Sequence, residues 1–428
     1  MILALALALL ACVPQSRGDA APPPEILGLE ASATWVESGE RVRLKPTYRH
    51  GRGILLPGPG EVPSGKDVFV AVDTPTTFTL SVTGPDGRAV TRELAVEVEP
   101  ALLVRTRGLR QAKAWITVTG PWGYREVAQA PCTLRGLQPG TYTLEAGAVE
   151  DGGGRKLPWE PVQTVVVDTG VAVTFFYPEP AFEVPLPGCA PLEFLLMPAG
   201  TFRMGTDVPE DPRSLPGPLP RPVHEVSFRT AFYMAKHLTT REQWWAVAGE
   251  GRGEKPPDPT FPVDGVSYRD ITETFLPALA PRMPDQAFAL PSEAMWEYAC
   301  RAGTSTRYFS GENGKALDAY AWRRPGTPLA GHPVGGMLPN PWGLHDLFGR
   351  GYQWCADIAY PDYVGAPADG SARLRPLRGR NLRIARGGDD WGEGGPFAQR
   401  YRFNENLRSS RLGLRLVATL PWFGPGNE

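Results

Sequence analysis

The side chains best suited to binding chemistry are concentrated between residues 389 and 404. They are carboxylates, an indole, guanidinium groups and an amide, at Asp389, Asp390, Trp391, Glu393, Arg400, Arg402 and Asn404. Grooves that bind peptides or sugars use such a set, because it combines an aromatic plate with acceptors and forked donors. Asp389 and Asp390 could also act as a general acid and base, but adjacent residues in a strand point to opposite faces. The residue types alone therefore allow ligand binding here, and we assign no catalytic residue.

Two short helices are predicted upstream of this segment. Thr240 and Gln243 form a capping box, and Thr239 offers the same box with Glu242. Ser267 begins a second helix in the same way, which Pro277 is expected to end or kink.

A third helix is predicted from Pro291-Ser292-Glu293 onwards. Its buried stripe has the spacing i, i+3, i+4, at Trp296, Ala299 and Cys300. We interpret Cys300 and Cys355 as small buried hydrophobic residues.

The amino-terminal part has the period-two alternation of β-strands. Residues 77–83 and 89–98 flank the turn Gly84–Gly87, which predicts a hairpin. Another strand is predicted over Gly39–Leu44, and Gly51–Gly65 is predicted to be a loop.

A second β module is predicted from about residue 101 to residue 178. A strand from Trp115 leads into the turn Gly120–Gly123, Leu137–Leu144 is a turn entering a strand, and Val162–Phe176 holds two strands around residues 168–170. Neither module has clustered His or paired carboxylates, so both are interpreted as spacer or adhesion modules.

A series of ordered motifs covers about residues 190 to 420. They are Met197–Gly205, Pro222–Val226, Pro262–Tyr268, Leu290–Gly303, Pro333–Gly335, Pro339–Leu347, Gln353–Trp354, Arg386–Gly388 and Gly413–Val417. In order and spacing they resemble the formylglycine-generating enzyme (sulfatase-modifying factor) family, which implies an irregular α+β domain of the C-type-lectin kind. Residues 31–100 resemble a bacterial immunoglobulin-like repeat, which is informative about fold class only.

The resemblance implies copper chemistry that the residues do not support. The family's enzymes oxidise a sulfatase cysteine to formylglycine with two copper-binding cysteines shortly after the Arg-Gly-Gly motif. In this chain Gly387–Arg402 contains no cysteine. Because a cuprous ion prefers thiolates, we predict that copper oxidase activity is absent.

Calcium binding is also expected to be impaired. The family's Gly-Asn-Val-x-Glu-Trp segment supplies calcium ligands, and here it has Arg350 and Gln353 at the Asn and Glu positions. A second family calcium loop has Arg323 and Arg324 after Trp322. Arginine repels a cation, so we predict that the chain binds no metal. Copper or calcium would be bound only if the family chemistry survives.

An iron site, which some relatives hold in a separate helical domain, has only weak support. The sequence has five histidines without an HxxxH or close pair: His50, His224, His237, His332 and His345.

The chain begins with a short apolar run, Met1–Cys12, which is too short to span a bilayer. It resembles an export signal, and Leu9–Cys12 resembles a lipobox whose cysteine, Cys12, is lipidated. No Lys or Arg precedes the run, and the alternative is a signal cleaved near Ala20 or Ala21. The other cysteines, Cys132, Cys189, Cys300 and Cys355, allow three disulfide pairings, among which the sequence does not choose.

Composition argues against a nucleic-acid-binding protein and against a disordered one. Lys plus Arg is 44 and Asp plus Glu is 46, a net charge of −2, which argues against nucleic acid as a partner. The hydrophobic fraction of 42% argues against global disorder.

Together these observations predict a multidomain chain: a signal and linker (1–24), two all-β immunoglobulin-like sandwiches (25–100 and 101–178) and a formylglycine-generating-enzyme-like α+β domain (179–428). The expected function is that of an exported envelope protein, in the periplasm or at the outer membrane, which binds a protein or glycan without catalysis and meets the membrane only through a lipid anchor. The alternative is an oxidoreductase of the same family that acts on a peptide cysteine or a thiol with altered metal chemistry.

Overall fold

The computed structural model of the chain is predominantly β. It describes residues 22–36, 40–152, 154–168, 170–207, 220–249, 256–306, 308–311, 314–322, 331–349, 351–375, 381–388, 397 and 399–419.

The first unit consists of two sheets around one hydrophobic cluster. Its strands are β1 (Glu25–Ala31), β2 (Trp35–Val36), β3 (Glu40–Arg49), β4 (Arg52–Leu56), β5 (Gly60–Val62), β6 (Val68–Val72), β7 (Thr76–Thr83) and β8 (Ala89–Val98). The sheets have the orders β1-β3-β6 and β2-β8-β7-β4-β5. The predicted hairpin is confirmed as β7 and β8, paired over all of β7. Alternate side chains such as Phe78, Leu80 and Val82 are fully buried between the sheets.

The predicted loop over Gly51–Gly65 is wrong, because β4 and β5 lie within it. Gly53 is a strand residue that lets the Tyr48 ring approach the backbone. A Cβ at this position would lie 2.5 Å from Tyr48 Cε1. The glycine thus serves close packing and not chain reversal.

The second unit also has two principal sheets. Its strands are β9 (Ala101–Arg107), β10 (Ala114–Thr119), β11 (Arg125–Ala130), β12 (Cys132–Leu134), β13 (Gly140–Ala146), β14 (Val149–Asp151), β15 (Gly154–Lys156), β16 (Val162–Val167) and β17 (Gly170–Phe176), with a 3-10 turn at Pro121–Gly123. The sheets have the orders β11-β10-β13-β16 and β12-β9-β17, and β14 pairs with β15. The two strands predicted around residues 168–170 are present, but they belong to different sheets. Strand β17 pairs with β9 in parallel. This all-β amino-terminal region fits an immunoglobulin-like module.

The carboxyl-terminal unit contains short strands among long connections. They are β18 (Ala181–Val184), β19 (Leu192–Met197), β20 (Gly200–Met204), β21 (His224–Phe228), β22 (Phe232–Ala235), β23 (Ala287–Ala289), β24 (Tyr352–Ile358), β25 (Leu382–Gly387), β26 (Tyr401–Asn404), β27 (Leu412–Gly413) and β28 (Val417–Thr419). They form sheets of order β18-β19-β22-β28-β23 and β26-β25-β24-β27, and β20 pairs with β21.

The helices of the described residues all lie in this unit, apart from the turn at Pro121–Gly123. They are α1 (Arg241–Ala248), α2 (Leu276–Leu279), α3 (Glu293–Arg301), a π-helix at Asp270–Phe275 and 3-10 turns at Ala280–Arg282 and Gly314–Ala319. Thr240 caps α1 in a reciprocal box with Gln243. None of these helices is long and apolar enough to span a membrane.

The helix after Ser267 differs from its prediction. Pro277 does not end it, because the helical segment runs on to Arg282. Instead the turn before the proline widens, and the Leu276 amide donates to the Ile271 carbonyl. Proline has no N–H for the bond an α-turn would need, and the preceding π-helix accommodates its ring.

The second β unit is anchored to the carboxyl-terminal one through Trp159. Its ring centroid lies 6.0 Å from that of Tyr233. Its carbonyl accepts a hydrogen bond from the Ala231 amide at 2.6 Å, and its amide donates to the Phe176 carbonyl at 2.8 Å. The Trp159 side chain therefore packs against the core of the other unit.

Candidate functional site

Helix α3 carries acidic residues into the interior of the carboxyl-terminal unit. Ser292 caps it, and its hydroxyl accepts from the Met295 amide at 3.0 Å. Trp296, Ala299 and Cys300 are buried as predicted, but Glu293 and Glu297 are buried too. Buried carboxylates are stable only when paired, so their partners define this region.

Two arginines from distant strands neutralise Glu293. Arg386 Nη1 lies 2.8 Å from Glu293 Oε1. Arg400 contacts both oxygens, with Nε 2.6 Å from Oε1 and Nη2 2.9 Å from Oε2. Burial opposes ionisation of Glu293, but the charges of Arg400 and Arg386 outweigh it and lower the pKa of this carboxyl.

Glu297 completes the network. Arg386 Nη2 donates to Glu297 Oε2 at 2.8 Å, and Arg301 Nη2 donates to Oε1 at 2.7 Å. Two carboxylates thus bind three guanidinium groups, and all four carboxylate oxygens accept hydrogen bonds from within the chain. This network is structural, since it offers no ionised oxygen without a partner to an external ligand.

Asp357 lies beside the network on β24. Its Oδ2 accepts from the Glu293 amide at 2.7 Å and its Oδ1 from the Arg373 amide at 2.8 Å. Burial, with the adjacent Glu293 charge, raises the pKa of Asp357 to about 6. A cavity of about 20 Å³ borders both carboxyls and His224, enough space for a water molecule.

Gln353, at the position where the family carries Glu, is a hydrogen-bonding hub. Its Oε1 accepts from Trp296 Nε1 and from Arg415 Nε, each at 3.0 Å. Its Nε2 donates to the Asp346 carbonyl at 3.0 Å. An oxygen already engaged by two donors, one of them cationic, does not fit a calcium ligand. Arg323, Arg324 and Arg350, the other predicted obstacles to calcium, lie outside the described residues.

The cysteines do not fit a copper site either. Cys300 and Cys355 are both 0% exposed within one hydrophobic cluster. Burial raises the pKa of both thiols well above its usual value. Because copper binds the thiolate, two buried thiols in a packed core are poor ligands. Cys132, Cys300 and Cys355 are free thiols, so none of the three disulfide pairings left open by the sequence is formed in full.

The structure brings together histidines that the sequence keeps apart. The rings of His237 and His345 lie 4.7 Å apart, and His237 Nδ1 is 3.8 Å from Asp346 Oδ2. The sequence has no close histidine pair along the chain, and it is the fold that brings these two rings together. Among the described residues no group of His, Cys, Asp and Glu has the arrangement of a metal site.

The predicted binding residues fall into three groups. Arg400 is buried and committed to Glu293. Arg402 and Asn404 are exposed at alternate positions of β26. The remaining predicted residues lie outside the described part of the chain: Asp389, Asp390, Trp391, Glu393 and the lipidation candidate Cys12.

Comparison with known proteins is consistent with this geometry. Residues 186–420 match the model of the sulfatase-modifying factor enzyme 1-like domain. A serine/threonine-protein kinase pkn1 of Chlamydia caviae is 34% identical over 134 residues, 29% of this chain and 20% of the kinase. A formylglycine-generating enzyme of Mycobacterium tuberculosis is 28% identical over 236 residues, 40% of this chain and 76% of the enzyme. The chain thus spans about a fifth of the length of the kinases that it matches.

Two solved structures are also similar to the chain. PvdO from Pseudomonas aeruginosa has 26% identity and a TM-score of 0.47, covering 56% of this chain and 98% of its own. Treponema denticola variable protein 1 has 22% identity and a TM-score of 0.42, covering 55% and 98%.

Proposed function

The chain belongs to the family of sulfatase-modifying factor enzyme 1-like domains, and we propose that its domain binds a protein or glycan without copper-dependent oxidation. The observation that carries this proposal is the lack of an accessible thiol pair at two places in this domain. Residues 387–402 contain no cysteine, and Cys300 and Cys355 are fully buried. A pair of thiolates able to hold a cuprous ion is not available at either place.

The ligand would meet the segment from 389 to 404. Glu293, Glu297 and Arg400 are occupied by the ion-pair network, and Arg386 on β25 and Arg400 next to β26 are held by its buried pairs. Arg402 and Asn404 face outward from this support. A rigid strand that presents a forked donor and an amide is suited to acceptor groups of a peptide backbone or a sugar.

We further propose that the chain is exported to the envelope and anchored there by a lipid on Cys12. The apolar run Met1–Cys12 supports export, and the proline-containing segment up to Pro24 supports a tether. The β units would then hold the binding domain away from the membrane surface.

The first test is metal content, measured by elemental mass spectrometry on the full chain purified without chelator. We expect no stoichiometric copper or iron. Stoichiometric copper would overturn the proposal and favour the oxidoreductase alternative, to be followed by a peptide-oxidation assay. Binding of calcium alone would overturn only the interpretation that Gln353 and its neighbouring loops do not bind calcium.

The second test is binding of purified envelope glycan and of an envelope protein fraction. Asp390→Ala, Trp391→Ala and Arg402→Ala are expected to weaken binding at least tenfold while the melting temperature is retained. The matched control is Arg49→Ala, which removes an exposed arginine at the end of β3 in the first β unit. If none of the three variants differs from the control, the proposed site is wrong.

A further inference from the structure

Strand β16 forms one edge of the sheet β11-β10-β13-β16. Within the described residues, no strand pairs with its outer side. Its sequence, Val-Gln-Thr-Val-Val-Val, has no charge, proline or glycine. It pairs with β13 over six consecutive residues, Val162–Val167, without a bulge. An edge of this kind offers unpaired backbone groups to another chain, and proteins usually protect it with charge, proline or a bulge.

The opposite edge of the same sheet has such protection. Strand β11 carries Arg125 and Glu126 next to each other. On the outer face of the sheet both edge strands carry exposed side chains, since Val127 of β11 is 54% exposed and Val166 of β16 is 60% exposed. The two edges therefore differ in charge, and β16 is the one suited to pairing.

We propose that two copies of the chain associate by antiparallel pairing of their β16 strands about a twofold axis at Thr164. An axis perpendicular to the sheet keeps the exposed faces of both copies on one side, because facing residues in a sheet share a face. Thr164 then faces Thr164 of the partner subunit, and Val162 faces Val166 of the partner subunit. Threonine pairs and β-branched pairs are favourable cross-strand neighbours.

The chemistry of this side of the unit favours a second copy over a charged peptide. Strand β17, the adjoining edge of the other sheet, is also uncharged. The two edges are joined by Gln163, whose Nε2 donates to the Thr174 carbonyl at 3.1 Å. Because neither strand has a charged side chain, self-pairing brings no like charges together within the six paired residues, and nothing in either strand would attract a basic or acidic segment.

The pairing is limited in extent. Six residues of antiparallel strand span roughly 20 Å. An interface of this length is smaller than a standard protein–protein interface, so association is expected to be weak and concentration-dependent.

The test is sedimentation equilibrium of the full chain up to hundred-micromolar concentration. Thr164→Lys should weaken dimerisation at least tenfold, because its two copies place like charges together at the axis. Val127→Lys is the matched control, since it adds the same charge to the same exposed face at the opposite edge strand. A mixture of Thr164→Lys with Thr164→Glu should restore the dimer.

A second measurement uses Thr164→Cys, because facing Cα atoms in an antiparallel pair lie about 4.5–5.5 Å apart, within reach of a disulfide. Mild oxidation should give a covalent dimer that Val127→Cys and the unaltered chain do not give. The proposal is overturned if the chain stays monomeric at these concentrations, if both lysine variants weaken association equally, or if Thr164→Cys cross-links no more than Val127→Cys. The inference is independent of ligand binding by the carboxyl-terminal domain.

Discussion

Gln353 Oε1 accepts a hydrogen bond from Arg415 Nε at 3.0 Å, so that a fully buried guanidinium faces an amide and not a carboxylate. The other nitrogens of Arg415 donate to the carbonyls of Ala235, Lys236 and His345. Burial lowers the pKa of Arg415 to about 10, with the Asp346 charge opposing this change. The partners of Arg415 are therefore neutral dipoles: three backbone carbonyls and the side-chain amide of Gln353.

Gln353→Leu should therefore destabilise the carboxyl-terminal domain strongly. It leaves Trp296 Nε1 and Arg415 Nε without an acceptor in a dry core. Two unsatisfied buried donors cost about 3 kcal/mol or more. Urea unfolding monitored by tryptophan fluorescence measures the loss. Gln129→Leu, on the exposed side of β11, is the control and should change stability little; an equal effect of both would contradict the role of Gln353.

Glu293→Gln should have a comparable effect for a different reason. It removes the negative charge between Arg386 and Arg400 while it keeps the size of the side chain. Breaking a buried ion pair costs about 3–5 kcal/mol, because the arginines keep their charge without compensation. Glu273→Gln is the control, since its pair with Arg269 is exposed to solvent and contributes little to stability. A loss no greater than that of the control would show that the network does not hold α3 to β25.

Asp357 should make stability fall as the pH rises. Its native pKa of about 6 lies above the ordinary 3.8, so between these values the native state binds the proton more tightly than the unfolded state. The contribution is present below about pH 4 and is lost as the pH passes 6. At about 1.4 kcal/mol per pKa unit, the change is at most roughly 3 kcal/mol.

The measurement is the difference in unfolding free energy between the unaltered chain and Asp357→Asn. Asparagine does not titrate, and it keeps one of the two acceptor positions facing the Glu293 and Arg373 amides. The penalty of the substitution should be smaller at pH 7.5 than at pH 4.5. A penalty that is constant or grows with pH would contradict the raised pKa.

Trp159→Ala should loosen the connection between the second β unit and the carboxyl-terminal one. The substitution removes the indole packed against Tyr233. We expect a loss of about 2 kcal/mol, because the ring is only partly buried. Limited proteolysis of the 177–180 connection between β17 and β18 should become faster. Trp115→Ala, which truncates a 61% exposed indole, is the comparison and should leave the cleavage rate unchanged.

Local signals in the sequence were sufficient for the elements that depend on neighbouring residues. Thr240 with Gln243 and Ser292 with Met295 are bonds between residues three apart, and both helix starts are as predicted. The interactions that organise the site are not local. Glu293 and Arg400 are 107 residues apart in the chain, and no periodicity relates them.

The same limit explains the missed histidine pair. His237 lies directly after β22 and His345 in the connection that leads to β24, and only the packing of the two segments brings their rings together. A backbone bond, from the His345 amide to the Lys236 carbonyl at 3.0 Å, joins these segments. The motif that contains His345 was recognised, but His237 lies in none of the recognised motifs, so a template of the fold would have been needed to see that they meet.

The parallel pairing of β9 with β17 has a mechanical consequence. The chain enters the second unit through β9 and leaves it through β17, and seven residue pairs from Gly170 with Ala101 to Phe176 with Arg107 join the two. Tension between the amino-terminal end and the carboxyl-terminal domain would pull these strands past each other along their length. Their hydrogen bonds would bear that load together in shear, and not one after another as when a hairpin is unzipped.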